Sequence, residues 1–131
     1  MLIHLKVIGA LLAVLSVLHV FIPGYLDWKK DLKPLSLMNR QMMQTHMIFI
    51  AIMVFAIGLL CLTSAPDIIG TPLGRKIALG LSAFWALRLV FQLFVYSSEL
   101  WKGKKFETFI HIMAVGFWIY MMVVFGMVAM G

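Results

Sequence analysis

Residues 107–130 read ETFIHIMAVGFWIYMMVVFGMVAM, a run with one acidic residue and no lysine, arginine or proline. As an α-helix these 24 residues extend for about 36 Å, more than the roughly 30 Å hydrocarbon thickness of a bilayer. Inside a bilayer the backbone amides must bond within the protein, which favours a helix for an unbroken apolar run. The segment therefore predicts a membrane-spanning helix.

The whole chain extends this pattern. Of its 131 residues, 63% are hydrophobic and 12% are charged, whereas soluble domains average about 45–50% and about 25%. We therefore predict a single all-α transmembrane domain, an antiparallel bundle of four transmembrane helices at about 2–23, 41–63, 75–99 and 107–130. Thr71 is expected to cap the third helix, with Pro72 at its first helical position.

The first apolar run carries a stripe of small residues. Gly9, Ala13 and Ser16 recur at helical spacing, which allows a second helix to approach closely. Pro23 and the glycine after it are expected to end this helix. Apolar and charged residues then alternate over about 26–39, which predicts an amphipathic segment lying along the membrane surface.

Basic residues concentrate in two of the predicted loops. The loops at 24–40 and 100–106 carry seven Lys and Arg, whereas the opposite side carries three. Short basic loops stay in the cytoplasm, so both termini are expected on the non-cytoplasmic side. The net charge of +6 is better explained by anionic lipid headgroups than by nucleic acid, which we do not expect as a partner.

Three histidines are predicted at one level near the basic loops. His19, His46 and His111 lie on three helices, each roughly 6–8 Å below the same membrane surface. Together with Glu107, one turn before His111, they are candidate ligands for zinc, iron or copper. Two of the histidines could instead hold a b-type haem. The simpler alternative is a set of interhelical hydrogen bonds with no cofactor.

The third helix has a second group of polar residues on one face. Arg88 lies near the predicted middle of the membrane, where an arginine costs at least about 2.5–3.5 kcal/mol. Its candidate partners are the rings of Trp85 or Trp118, backbone carbonyls or a bound anion. The simpler role for this arginine is a structural one, in which it holds neighbouring helices together through interhelical contacts. The candidate catalytic residues near a quinone or lipid-like ligand are Arg88, Gln92, Tyr96 and Glu107.

Residues 18–49, LHVFIPGYLDWKKDLKPLSLMNRQMMQTHMIF, and 84–111, FWALRLVFQLFVYSSELWKGKKFETFIH, carry a resemblance. They are similar to a group of small four-span bacterial membrane proteins with no assigned activity. The resemblance implies a bacterial inner-membrane location, and it identifies no catalytic residues.

Three hypotheses of function follow from the residues. The leading one is a redox or lipid-modifying protein that holds a metal or haem near the cytoplasmic face and acts on a quinone or lipid-like substrate. The second is a small proton-linked or anion transporter or channel that uses Arg88. The third is an accessory subunit of a larger membrane complex, and self-association into a homo-oligomer also stays open. The sequence does not decide whether the chain is an enzyme.

Overall fold

The computed structural model describes residues 1–95 and 103–131, and in these ranges all regular secondary structure is helical. The elements are α1 (Leu2–Tyr25), α2 (Trp28–Asp31), α3 (Leu37–Thr63), α4 (Ala65–Gly70), α5 (Pro72–Val90), a π-helix (Phe91–Val95) and α6 (Lys105–Met130). The predicted all-α class is confirmed.

Four of the helical stretches are long and apolar enough to cross a membrane. They are Leu2–Tyr25, Leu37–Thr63, Pro72–Val95 and Lys105–Met130, with mean hydropathies between 1.7 and 2.5. Many large apolar side chains on these helices are exposed, as expected where the solvent is lipid. The chain is an integral membrane protein with four spans.

The first two spans each extend beyond the predicted bounds at one end. α1 continues through Pro23 to Tyr25, since a proline in the last turn removes a single backbone hydrogen bond. α3 begins at residue 37 rather than 41, because the Ser36 hydroxyl accepts a hydrogen bond from the Asn39 amide at 3.3 Å and caps the helix. Within the predicted surface segment 26–39, only α2 and the start of α3 are helical.

The connection between the second and third spans contains a short helix, α4, where the sequence predicted a loop. Thr71 follows it and caps α5 as predicted: its hydroxyl accepts from the Gly74 amide at 2.9 Å and donates to the Asp67 carbonyl at 2.6 Å. Pro72 occupies the first turn, where its missing amide hydrogen is not needed. One side chain thus joins α4 to α5.

The helices belong to two compact units, Ile3–Ala65 and Pro66–Gly131 with Met1–Leu2. In the first unit, α1 and α3 meet backbone to backbone at Gly9 and Gly58. A Cβ atom added to Gly9 would lie 2.7 Å from the Gly58 carbonyl oxygen, and one added to Gly58 would lie 2.9 Å from the Gly9 carbonyl oxygen. The predicted small-residue stripe of α1 therefore does pack closely, and its partner is a glycine of α3.

In the second unit, α5 and α6 pack against each other. The buried side chains include Ala78 and Trp85 on α5, and Trp118, Met121 and Phe125 on α6. Near the middle, the Ser82 hydroxyl donates to the Met122 carbonyl at 2.8 Å and satisfies a polar group inside the membrane. This hairpin positions the candidate site.

The glycine contact gives a stability prediction. Gly9→Ala places a methyl group against the α3 backbone, which cannot swing away as a flexible side chain would, so we expect a loss of about 1–3 kcal/mol. The matched control is Gly116→Ala, since a Cβ there meets nothing within 4 Å and should gain helix propensity. Unfolding of both variants in detergent, followed by circular dichroism, measures the difference. A Gly9→Ala protein as stable as the control would contradict the close contact.

Candidate functional site

Three polar side chains of α5, the π-helix and α6 form a hydrogen-bonded chain within the second unit. Arg88 Nη1 donates to Gln92 Oε1 at 3.2 Å, and Gln92 Nε2 lies 2.8 Å from His111 Nδ1. Gln92 is only 8% exposed, so both ends of its amide need partners. We call Arg88, Gln92 and His111 the polar track. The structure thus brings together three residues that the sequence singled out on two separate helices.

Gln92 lies in the five-residue π-helix Phe91–Val95. Such segments carry i→i+5 hydrogen bonds, widen the helix locally and occur frequently at functional sites. The sequence FQLFV contains neither glycine nor proline, so no pattern in the residues predicted this change of helix type.

The polar track has a fixed hydrogen-bond direction. A guanidinium can only donate, so the Gln92 oxygen must face Arg88 and the amide nitrogen must face His111. That nitrogen is also a donor, so His111 accepts at Nδ1. We therefore assign neutral His111 its proton on Nε2, the nitrogen that faces away from Gln92. Arg88 and His111 accordingly present N–H groups, rather than lone pairs, to their surroundings.

Two stacked tryptophans lie beside the polar track. The rings of Trp85 and Trp118 are 4.9 Å apart at the centroids and 9° from parallel. Arg88 Cζ lies 5.1 Å from the centroid of Trp118, which confirms the predicted cation–π partner. A cation held over an indole in a dry environment gains about 2 kcal/mol. This contact and the bond to Gln92 offset part of the cost of placing Arg88 in the membrane.

The indole N–H groups of the two tryptophans are buried donors. Trp85 and Trp118 are 3% and 6% exposed, and neither Nε1 has a hydrogen-bond acceptor in the described part of the chain. A buried unsatisfied donor costs about 1–3 kcal/mol. An oxygen-bearing ligand would supply acceptors to these two indole N–H groups.

His19 belongs to the first unit, and its ring has the opposite hydrogen-bond direction from that of His111. Its Nδ1 lies 2.8 Å from the Leu15 carbonyl, which can only accept, so Nδ1 carries the proton and Nε2 of the neutral ring keeps its lone pair. The ring lines a groove of about 460 Å³ between α1, α2 and α3. His19 is therefore available as an acceptor or as a ligand to a metal.

His46 is exposed and lies on another side of α3. The α3 residues that line the His19 groove include Gln44, Ile48 and Ala51. His46 is two positions from both Gln44 and Ile48, which turns it about 200° around the helix from each. The first unit therefore does not bring its two candidate histidines into one groove.

The predicted metal or haem centre stays a prediction. Within residues 1–95 and 103–131, no three His, Cys, Asp or Glu side chains are grouped closely enough to hold a metal ion. His19 and His46 belong to one unit, while His111 and half-buried Glu107 belong to the other. The hydrogen bonds of His111 disfavour a role as metal ligand. A metal on Nε2 would leave the ring proton on Nδ1, and the Gln92 amide would then have to turn its oxygen toward His111 and its nitrogen toward Arg88, where two donors would meet. The predicted site residue Tyr96 lies outside the described residues.

No family model, no curated protein and no solved structure matches this chain. The resemblance to small four-span bacterial proteins therefore stays a prediction, and the argument for function depends on the chemistry of the site.

The two histidine assignments can be tested together. In protein labelled with ¹⁵N-histidine, His111 should show its proton on Nε2 and His19 its proton on Nδ1, at a pH where both rings are neutral. Gln92→Leu removes the amide that orients His111, so this ring should lose its tautomer preference while His19 keeps its own. The measurement is the pair of imidazole nitrogen shifts for each ring. The same tautomer on both histidines in the unsubstituted protein would contradict the assigned hydrogen-bond direction.

Proposed function

We propose that this protein binds a quinone-type lipid within the membrane, at the polar track and the adjoining tryptophan pair, and serves a redox process there. The observation that carries the proposal is a pair of buried donors beside Arg88, the two indole N–H groups, which have no acceptor among residues 1–95 and 103–131. A quinone has two carbonyl oxygens that accept such bonds. It also has a flat ring that suits the stacked indoles.

The lipid-facing surface next to the track supports entry from the membrane. Leu87, Val90 and Phe91 are exposed apolar side chains of the same helical stretch. An apolar ligand dissolved in the bilayer would reach this surface without crossing water. Its polar head would then meet donors that lipid tails cannot satisfy.

The residues of the track suit the charge changes of a bound quinone. Reduction places negative charge on the carbonyl oxygens, and a guanidinium in a low-dielectric setting stabilises that charge. His111 Nε2–H would donate a hydrogen bond to the same oxygen and so stabilise its charge, with Glu107 one helical turn away toward the start of α6. We propose that the electrons come from a carrier on another subunit of a membrane complex, which makes this chain a quinone-binding subunit.

Quinone affinity gives a direct test. The protein in nanodiscs is titrated with a short-chain ubiquinone analogue while tryptophan fluorescence is recorded, and we expect saturable quenching. Arg88→Met should raise the Kd about tenfold or more, since a hydrogen bond from a charged group contributes about 1.5–3 kcal/mol. The control is Arg75→Met, a cation of the same helix outside the polar track, which should leave the Kd unchanged. Non-saturable quenching, or equal affinity in Arg88→Met, would sink the quinone proposal.

A donor-only site also suits a small anion, and this observation favours transport as the second candidate. In that case chloride or nitrate flux into liposomes should be measurable, and Arg88→Gln should abolish it while Arg75→Gln should not. Flux without quinone binding would replace the first proposal with the second.

The metal or b-type haem inferred from the sequence remains a separate proposal. Zinc, iron or copper in stoichiometric amount, or a Soret band in the purified protein, would support it. Loss of the metal or of the band in His19→Ala, but not in His4→Ala, would assign the ligand.

A further inference from the structure

The groove beside His19 lies in the first unit, and its lining contains no residue of the polar track. Its volume is about 460 Å³ and it opens between the C-terminal part of α1, the single turn of α2 and the N-terminal half of α3. The residues that define its chemistry are His19, Pro23, Trp28, Lys29, Gln44 and Ile48. None of these residues belongs to the proposed quinone site.

His19 supplies the groove with a hydrogen-bond acceptor. It donates from Nδ1 to the Leu15 carbonyl, so Nε2 of the neutral ring carries a lone pair. Because His19 lines the groove, a hydroxyl group of a ligand there could donate to this nitrogen.

The outer part of the groove has the composition of a headgroup site. Trp28 and Lys29 belong to α2, directly after a turn in which Asp27 takes a left-handed backbone conformation, with φ 55°. Tryptophan favours the membrane–water interface, and lysine there pairs with lipid phosphates. Residues 27–40 carry four basic and two acidic side chains, which favours an anionic headgroup over one that ends in an ammonium group.

The wall of the groove between these two parts is apolar. Val20 of α1 and Met47, Ile48 and Ala51 of α3 line it. Such a wall suits an acyl chain rather than a soluble anion, because an ion alone would gain nothing from it. The groove therefore combines a cationic outer part, an acceptor at His19 and an apolar wall.

We propose that this groove binds one phospholipid whose headgroup is anionic and carries hydroxyl groups, as in phosphatidylglycerol. Lys29 contacts the phosphate, a headgroup hydroxyl donates to His19 Nε2, and an acyl chain lies along Ile48 and Ala51. The lipid joins α2 to the two long helices and so holds the surface segment against the membrane. This proposal is independent of the quinone proposal, since the two sites share no residue.

Native mass spectrometry of the full chain, released from detergent with defined lipids, tests the proposal. We expect one tightly retained phosphatidylglycerol, and at least tenfold weaker retention of phosphatidylethanolamine and of phosphatidylserine, which is anionic but has no hydroxyl group. Glycerophosphoglycerol, the deacylated headgroup, should not compete, because it lacks the acyl chain. Equal retention of the three phospholipids would overturn the proposal, and so would competition by the free headgroup.

Matched variants assign the binding to the groove. His19→Phe and Lys29→Gln should each weaken phosphatidylglycerol retention about tenfold, whereas His46→Phe and Lys105→Gln, a histidine and a lysine outside the groove, should have no effect. His19→Gln keeps a side-chain acceptor and should restore part of the retention, which separates the loss of an acceptor from misfolding. Equal losses in the groove variants and their controls would assign the lipid to general charge attraction and refute a specific site.

Discussion

The guanidinium of Arg88 can only donate hydrogen bonds, and this constraint orders the polar groups around it. It fixes the orientation of the Gln92 amide, and the amide in turn fixes which nitrogen of His111 accepts. In water such a constraint would be weak, because solvent could supply either partner. In a hydrocarbon setting no water is available as an alternative partner. The hydrogen-bond direction that Arg88 sets therefore holds through Gln92 to His111.

The two histidines that line or border a site consequently have opposite roles. His111 receives a hydrogen bond from a side chain and presents an N–H group, whereas His19 donates to its own helix backbone and presents a lone pair. Their equal predicted depth is the basis of the predicted metal centre, which stays a prediction. The hydrogen-bonding role of each ring depends on its nearest partner rather than on its depth along the helix.

Much of this arrangement is predictable from the sequence. Hydropathy locates the four spans, and helical periodicity places Arg88 and Gln92 on one face with a tryptophan as partner of the cation. The alignment of α5 with α6 is not predictable in this way, since it depends on the packing of Trp85 on Trp118. The π-helix around Gln92 has no residue signal, and neither does the tautomer of His111. Gly58 could have been found, because it stands in a stripe of small side chains with Ala51 and Cys61.

The backbone contact between Gly9 and Gly58 also bears on the lipid groove. The contact extends along α1, since a Cβ added to Gly58 would also lie 3.1 Å from the Ala13 amide nitrogen. His19 lies ten residues from Gly9, about 15 Å farther along α1. The distance between α1 and α3 at Gly9 and Gly58 is limited by backbone atoms, so substitutions of the side chains that line the groove leave this contact unchanged.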